Sequence, residues 1–149
     1  MMKRLVYLAT FLLLAGLNSR SQSIVGAWKK TATILENSDG SSRDLQKLMT
    51  KSKPCLADIQ YIFQADGKQL THPPKGCDIP GLEETADWKV SGNTISVNGR
   101  QGKGLPVITA TYTMTFSGNT VLFTHAYSAQ EKAALHSKAA KIIVTYQRI

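Results

Sequence analysis

Val107-Ile108-Thr109-Ala110-Thr111-Tyr112-Thr113-Met114-Thr115-Phe116 decides the fold of this chain. Ile108, Ala110, Tyr112, Met114 and Phe116 fall on one face of an extended strand, and the four threonines fall on the other. Side chains of a strand point alternately to its two faces, so this stretch describes a sheet with one buried and one wet side. Ser117-Gly118-Asn119-Thr120 then leads into a second apolar run over residues 121–127. Glycine and asparagine accept the positive φ that tight hairpins demand, which makes the two runs a hairpin. The same tetrapeptide recurs at Ser91-Gly92-Asn93-Thr94, between residues 86–90, which carry Trp88, and residues 95–97.

Working outward from these hairpins, residues 24–35 form a long strand rich in β-branched side chains, broken by Asn37-Ser38-Asp39-Gly40. From 42 to 50 the apolar period becomes helical, with Leu45, Leu48 and Met49 on one face. Asp44 near the start and Lys51 beyond the end suit the helix dipole. Ile59, Tyr61 and Phe63 give one apolar face to a strand over 57–63, which turns at Asp66-Gly67 into 68–71. Asn98-Gly99, Gly102 and Gly104 mark a flexible connection. Residues 128–141 suggest a helix or helical lid, with Ser128 and Glu131 spaced as a capping box. Residues 141–149 form a last strand with Ile142, Val144 and Tyr146 on one face. About eight strands in successive hairpins predict an all-β fold, an antiparallel up-and-down barrel with one or two short helices. Closure would remove exposed strand edges; a two-sheet sandwich is the competing architecture.

The N-terminus differs from the rest. Lys3 and Arg4 precede an apolar run over 5–17, and small polar residues follow, the pattern of a secretory signal peptide. The run falls short of the roughly 20 apolar residues that span a membrane. Ser21 and Ser23 best meet the small-x-small requirement for cleavage, so the expected division is a signal peptide over 1–23 and one barrel domain over 24–149. No cysteine follows the apolar run before Cys55. A soluble secreted or periplasmic product without a lipid anchor or membrane span is therefore expected. Losing Lys3, Arg4 and Arg20 takes three from the formal charge of +8. The remaining basic residues are dispersed, only Lys47, Lys51 and Lys53 lying close together. They make no stripe interleaved with aromatics, so no nucleic-acid partner is expected.

An exported chain permits disulfides, and Cys55 and Cys77 can pair in only one way. Their midpoint, residue 66, falls on the Asp66-Gly67 turn, so antiparallel pairing would bring both to the open end of that hairpin. Such a crosslink would stabilise the domain by roughly 3 kcal/mol in the chain-entropy view. The spacing of a C-x-x-C redox or metal motif is absent.

Several pieces in order resemble the bacterial lipocalin-like domain family. They are Ile24-Val25-Gly26-Ala27-Trp28-Lys29, then Cys55…Asp58…Tyr61-Ile62-Phe63-Gln64-Ala65-Asp66-Gly67, then Trp88-Lys89-Val90-Ser91-Gly92-Asn93-Thr94-Ile95, and finally Val144-Thr145-Tyr146-Gln147-Arg148-Ile149. The resemblance covers nearly the whole expected mature chain, and the cysteine pair matches one in the family. Gly26-x-Trp28 also resembles the first-strand signature of lipocalins generally. By that resemblance Trp28 would close the barrel floor and Arg148 would pack across it, a cation–π contact of about 0.5–2 kcal/mol. Ordinary core packing of Trp28, with Arg148 in solvent, is the alternative. The family implies little about activity, since a shared fold does not carry function.

Candidate ligand-binding residues are the aromatic and flexible side chains whose faces should point inward: Tyr61, Phe63, Trp88, Tyr112, Met114, Phe116 and Phe123. Leu45 and Met49, on the helix where lipocalin-type folds place their entrance loop, are candidates for a lid, or only seal the core. An eight-stranded barrel either fills with side chains or holds one small ligand. The expected function is binding of a small apolar molecule inside or at the mouth of the barrel by a monomer. A filled barrel serving as a cell-envelope protein–protein interaction module is the alternative. No enzyme activity, metal or cofactor is expected. His72, His125 and His136 are far apart in sequence, Glu83, Glu84 and Asp87 lie in a turn region, and no nucleophile elbow or phosphate loop is present.

Overall fold

The structure is a computed structural model that describes residues 22–100 and 102–149. The expected signal segment up to residue 21 lies outside the described residues. In chain order the elements are β1 (Gly26–Asn37), β2 (Ser42–Asp44), α1 (Leu45–Ser52), a 3-10 turn (Pro54–Asp58), β3 (Gln60–Phe63), β4 (Lys68–His72), β5 (Thr85–Ser91), β6 (Thr94–Arg100), β7 (Val107–Ser117), β8 (Thr120–Ala126), α2 (Ala129–Ala134) and β9 (Ala139–Arg148).

Every strand pairs antiparallel with its neighbour, and β1 also pairs with β9, from Trp28 opposite Arg148 to Asn37 opposite Ala139. That pairing closes β1 and β3–β9 into an eight-stranded barrel, with β2 as an extra strand beside the far end of β1. The architecture is the antiparallel barrel with two short helices that the hairpin pattern predicts, not a sandwich.

Some boundaries differ from the expected ones. Asn98 and Gly99 continue β6 rather than forming a flexible link, paired with Thr109 and Ile108. A Cβ at position 99 would come 3.1 Å from that of Ala86, so this glycine serves a close approach of strands. The helix expected over 128–141 covers only Ala129–Ala134, because β9 begins at Ala139. Its cap is as expected: the Ser128 hydroxyl accepts from the Glu131 N–H, and the Glu131 carboxylate accepts from the Ser128 N–H.

The helical face also differs. Leu48 and Met49 are exposed and Leu45 is half-buried, whereas Gln46 is buried. The reason lies in the wall of the barrel. On the edge away from β9, β1 pairs with β3 over Gly26–Lys29 and with β2 over Ile34–Glu36, leaving a gap at residues 30–33. The β2–α1 segment fills that gap with polar contacts. Asp44 accepts from the Thr33 N–H while also capping α1 through the Lys47 N–H, and Gln46 donates to the Leu56 carbonyl. Polar groups aimed at unpaired strand backbone fix the orientation of α1 here, and its leucine and methionine are left facing solvent.

The disulfide forms between Cys55 and Cys77, with Cα atoms 5.8 Å apart. Gln60 lies opposite His72 and Phe63 opposite Gln69, each pair centred on residue 66 as the cysteines are. Both cysteines sit just beyond the strands, one in the 3-10 turn and one in the loop to β5. The bond therefore ties that loop to the barrel wall, and Lys53 donates to the Asp78 carbonyl beside it.

The core gathers at the end of the barrel bounded by the hairpin turns, here called the floor. Trp28, Phe63, Ile95 and Val121 are fully buried there, packed with Phe123 and Tyr146. The Arg148 guanidinium lies 4.2 Å from the centre of the Trp28 ring and donates to the carbonyls of Val25 (3.0 Å) and Ser23 (2.6 Å). The Trp28 indole N–H donates to the Ile24 carbonyl at 2.7 Å. Gly26 makes this possible: its φ is +134°, and a Cβ there would stand 2.6 Å from Arg148 Nη1.

Gly26→Ala should therefore lower stability by about 2 kcal/mol, from backbone strain together with displacement of Arg148. In an Arg148→Ala background the same change should cost less, since only the backbone term remains. Denaturant melts of the two single variants and the double variant measure this coupling.

Candidate functional site

The lumen is graded from end to end. Near the floor it is filled by rings: Phe63 meets Trp88, Phe123 and Tyr146 edge-on, and Phe123 also packs on Tyr146 and Tyr112. Toward the opposite end, the mouth, the inward positions become small or polar, as at Thr71, Ala86, Gly99 and Ala110. The aromatic layer leaves a cleft at each end.

The floor cleft has a volume of about 460 Å³ and lies between the N-terminal segment, the β5–β6 turn and β7. Ile24, Trp88, Val90, Met114 and Phe116 give it apolar walls, with Ser23 and Asn93 at its edge. Trp88 is held in place because its indole N–H donates to the Lys68 carbonyl at 3.0 Å. The mouth cleft is smaller, about 240 Å³. It runs between β4, β5, β6 and β7, past Val97 and Ala110 to Thr71 and Tyr112, with Glu83, Arg100 and the exposed Ile108 at its rim.

The candidate residues are thus divided among three places. Trp88, Met114 and Phe116 converge on the floor cleft. Tyr112 lines the mouth cleft. Phe63 and Phe123 belong to the packed layer, and Tyr61 sits at its upper side, edge-on to Tyr146. Leu45 and Met49 line neither of these clefts. Ile24 and Val90 at the floor, and Thr71, Val97 and Ala110 at the mouth, join the site without having been singled out in the sequence. For Val90, Thr71, Val97 and Ala110 the parity of their strands is the signal that marks them, since each shares a face with an aromatic candidate or core neighbour.

One charged residue also faces inward. Lys30, two positions after Trp28, places its ammonium 4.8 Å from the centre of the Tyr61 ring and 5.9 Å from that of Tyr146. Burial works to lower its pKa, but the negative charge of Tyr146 and Tyr61 once ionised, a hydrogen bond to Tyr61 and the same negative charge on Tyr112 outweigh it and hold the group above the ordinary lysine value. Burial also raises the phenols: Tyr146 is pushed up to about 12 and Tyr112 rises in the same direction. At neutral pH Lys30 is therefore a cation beside the neutral hydroxyls of Tyr146 and Tyr112.

At the mouth, α2 is fastened to β8 by His125. Its Nδ1 lies 2.9 Å from the Thr111 carbonyl and its Nε2 lies 2.9 Å from the Glu131 carboxylate. Among the described residues no group of three His, Cys, Asp or Glu side chains is placed to hold a metal ion. No helix among the described residues is long and apolar enough to cross a membrane.

The Glu131 carboxyl is held below its ordinary value, first by the Ser128 N–H and then by the Ser128 hydroxyl, with His125 adding to both. A depressed carboxyl stabilises the cap above its unfolded value, and the cap is lost as pH falls through the folded one. The amide resonance of Ser128, at 2.7 Å from Glu131 Oε2, should therefore move upfield on acidification with a midpoint below about 4.3, the ordinary glutamate value. An NMR titration in which Ser128 moves at or above that value would show that the cap does not hold Glu131.

Comparison of the chain with protein-family models, with curated proteins and with solved structures finds no match.

Proposed function

We propose that this chain is an exported lipocalin-like protein that binds a small apolar molecule in the floor cleft of its barrel. The observation that carries this reading is the cleft itself, about 460 Å³ with Ile24, Trp88, Val90, Met114 and Phe116 as its walls. Small-molecule sites are concave, mostly apolar and about 300–1,000 Å³ in volume. Three of the side chains chosen from strand parity, Trp88 on β5 and Met114 and Phe116 on β7, supply adaptable methionine and flat aromatic surface to one cleft. The order of motifs resembling the lipocalin-like family supports the same class. The basic and apolar start of the chain and the Cys55–Cys77 bond support export. A docking role would draw instead on the outward-facing Leu48 and Met49 of α1.

A neutral apolar dye, N-phenyl-1-naphthylamine, provides a direct measurement. Binding beside Trp88 should quench the tryptophan emission as the dye is added. Val90→Asp places a charge on the cleft wall at a position already exposed, and should weaken the dye by about tenfold or more. Dye affinity equal in the variant and the wild type would place binding elsewhere.

Processing can be tested separately. Arg148 donates to the Ser23 carbonyl, and Ile24 is buried against Trp28, so the floor uses the chain from Ser23 onward. Ser19 and Ser21 offer the same small-x-small spacing as Ser21 and Ser23. Cleavage after Ser21 keeps the carbonyl in place, and the intact mass of exported protein should correspond to a start at Gln22. A mass that begins at Ile24 would mean that the Arg148–Ser23 bond is absent from the mature protein.

A further inference from the structure

Lys30 is a half-buried cation whose ammonium lies against two tyrosine rings, and a charge drawn partly out of water with no counter-ion is costly. Among the described residues the ion pairs join Lys29 to Asp58, Lys68 to Asp87, Lys141 to Glu36 and His125 to Glu131, and no carboxylate pairs with Lys30. The faces of Tyr61 and Tyr146 offset part of the cost. A neutral side chain of similar length would fill the same space without it, so packing alone does not account for a lysine here. A second polar group faces the same lumen. The Thr33 hydroxyl, on a residue only 7% exposed, has no hydrogen-bond partner among the described residues. The third observation is access. The mouth cleft reaches Thr71 and Tyr112; Thr71 lies opposite Tyr61 on the neighbouring strand, and Tyr61 is the ring beneath the ammonium.

We propose that Lys30, with the hydroxyls of Tyr61, Tyr112 and Thr71, binds the carboxylate of a short organic acid that enters by the mouth, its apolar part lying along Val97, Ala110 and Ile108. The ammonium supplies the charge, and neutral phenols supply hydrogen-bond donors to a carboxylate. The size of the cleft, 240 Å³, favours a short acid or one whose tail protrudes past Ile108. This site lies across the aromatic layer from the floor cleft and does not depend on the function proposed for that cleft.

Sodium octanoate and 1-octanol differ in charge at nearly equal length and separate the two sites. By calorimetry on the mature protein, octanoate should bind about tenfold or more tighter than 1-octanol, the range for a hydrogen bond to a charged partner. Octanoate should shift the backbone NMR signals of Thr71, Val97 and Tyr112. Lys30→Met should remove the preference for the acid, with the thermal melt showing that it folds. Should that variant not fold, Tyr112→Phe, which keeps the ring and deletes one donor, should narrow the preference and serves as the deciding variant. Equal affinity for the two compounds, no binding of octanoate, or a preference that survives in the folded Lys30→Met variant would overturn the proposal. Octanoate shifts confined to Trp88, Val90 and Phe116 would overturn it while supporting a ligand at the floor.

Discussion

The pairing of β1 with β9 is the constraint on which the rest of the structure depends. A meander of eight strands has two open edges, and this contact joins the first strand to the last along nearly its whole length. It must be made between segments more than a hundred residues apart, so loop-closure entropy opposes it until the intervening hairpins have formed. Its floor end is locked by groups that have no other use: Arg148 spans the Trp28 ring and two carbonyls of the N-terminal segment, in space that Gly26 leaves free. Without that closure there is no lumen.

The same pairing contains an irregularity that shapes the site. Lys30 lies opposite Tyr146, but Ala32 lies opposite Thr145, so Thr31 is an extra residue. Strict alternation from Trp28 would carry Lys30 and Ala32 inward. The bulge reverses the parity, turning Thr33 and Leu35 toward Val144 and Ile142. A bulge increases local twist and re-aims side chains, and here it gives β1 two inward polar residues close together. The unpaired opposite edge of the same stretch is what the β2–α1 segment covers. The inserted residue thus turns Thr33 inward beside Lys30, and the short helix covers the backbone left unpaired on the other edge.

Which features could be read in the sequence follows from how local their causes are. The β7–β8 hairpin is legible because its alternation and its Gly118-Asn119 turn are set within twenty residues. The disulfide is legible because two cysteines allow one pairing and the hairpin turn lies midway between them. The face of α1 is not legible, since Leu45, Leu48 and Met49 present the expected stripe while the gap in β1, a long-range feature, selects Gln46. Gly99 misleads for a related reason: beside Asn98 it has the look of a turn, but its small size is used across the sheet against Ala86. In each case a tertiary contact overrides a local preference.

The site divides along the same line. Aromatic residues on alternating strands are easily chosen as inward-facing, yet their bulk is what fills a barrel, so choosing them finds the packed layer as readily as a cavity. Phe63 and Phe123 belong to that layer, while Trp88, Met114 and Phe116 border the floor cleft together with the segment from Gln22 to Ile24. Space at the mouth comes from residues that carry no such signal, Ala86, Gly99 and Ala110, and is visible only once strand register is known. Lys30 is the sharpest example. Counted by composition it is one of a set of dispersed basic residues that make the chain positive. Placed two residues after Trp28 on the closing strand, it becomes a charge set between the rings of Tyr61 and Tyr146, and position rather than number gives it chemical meaning.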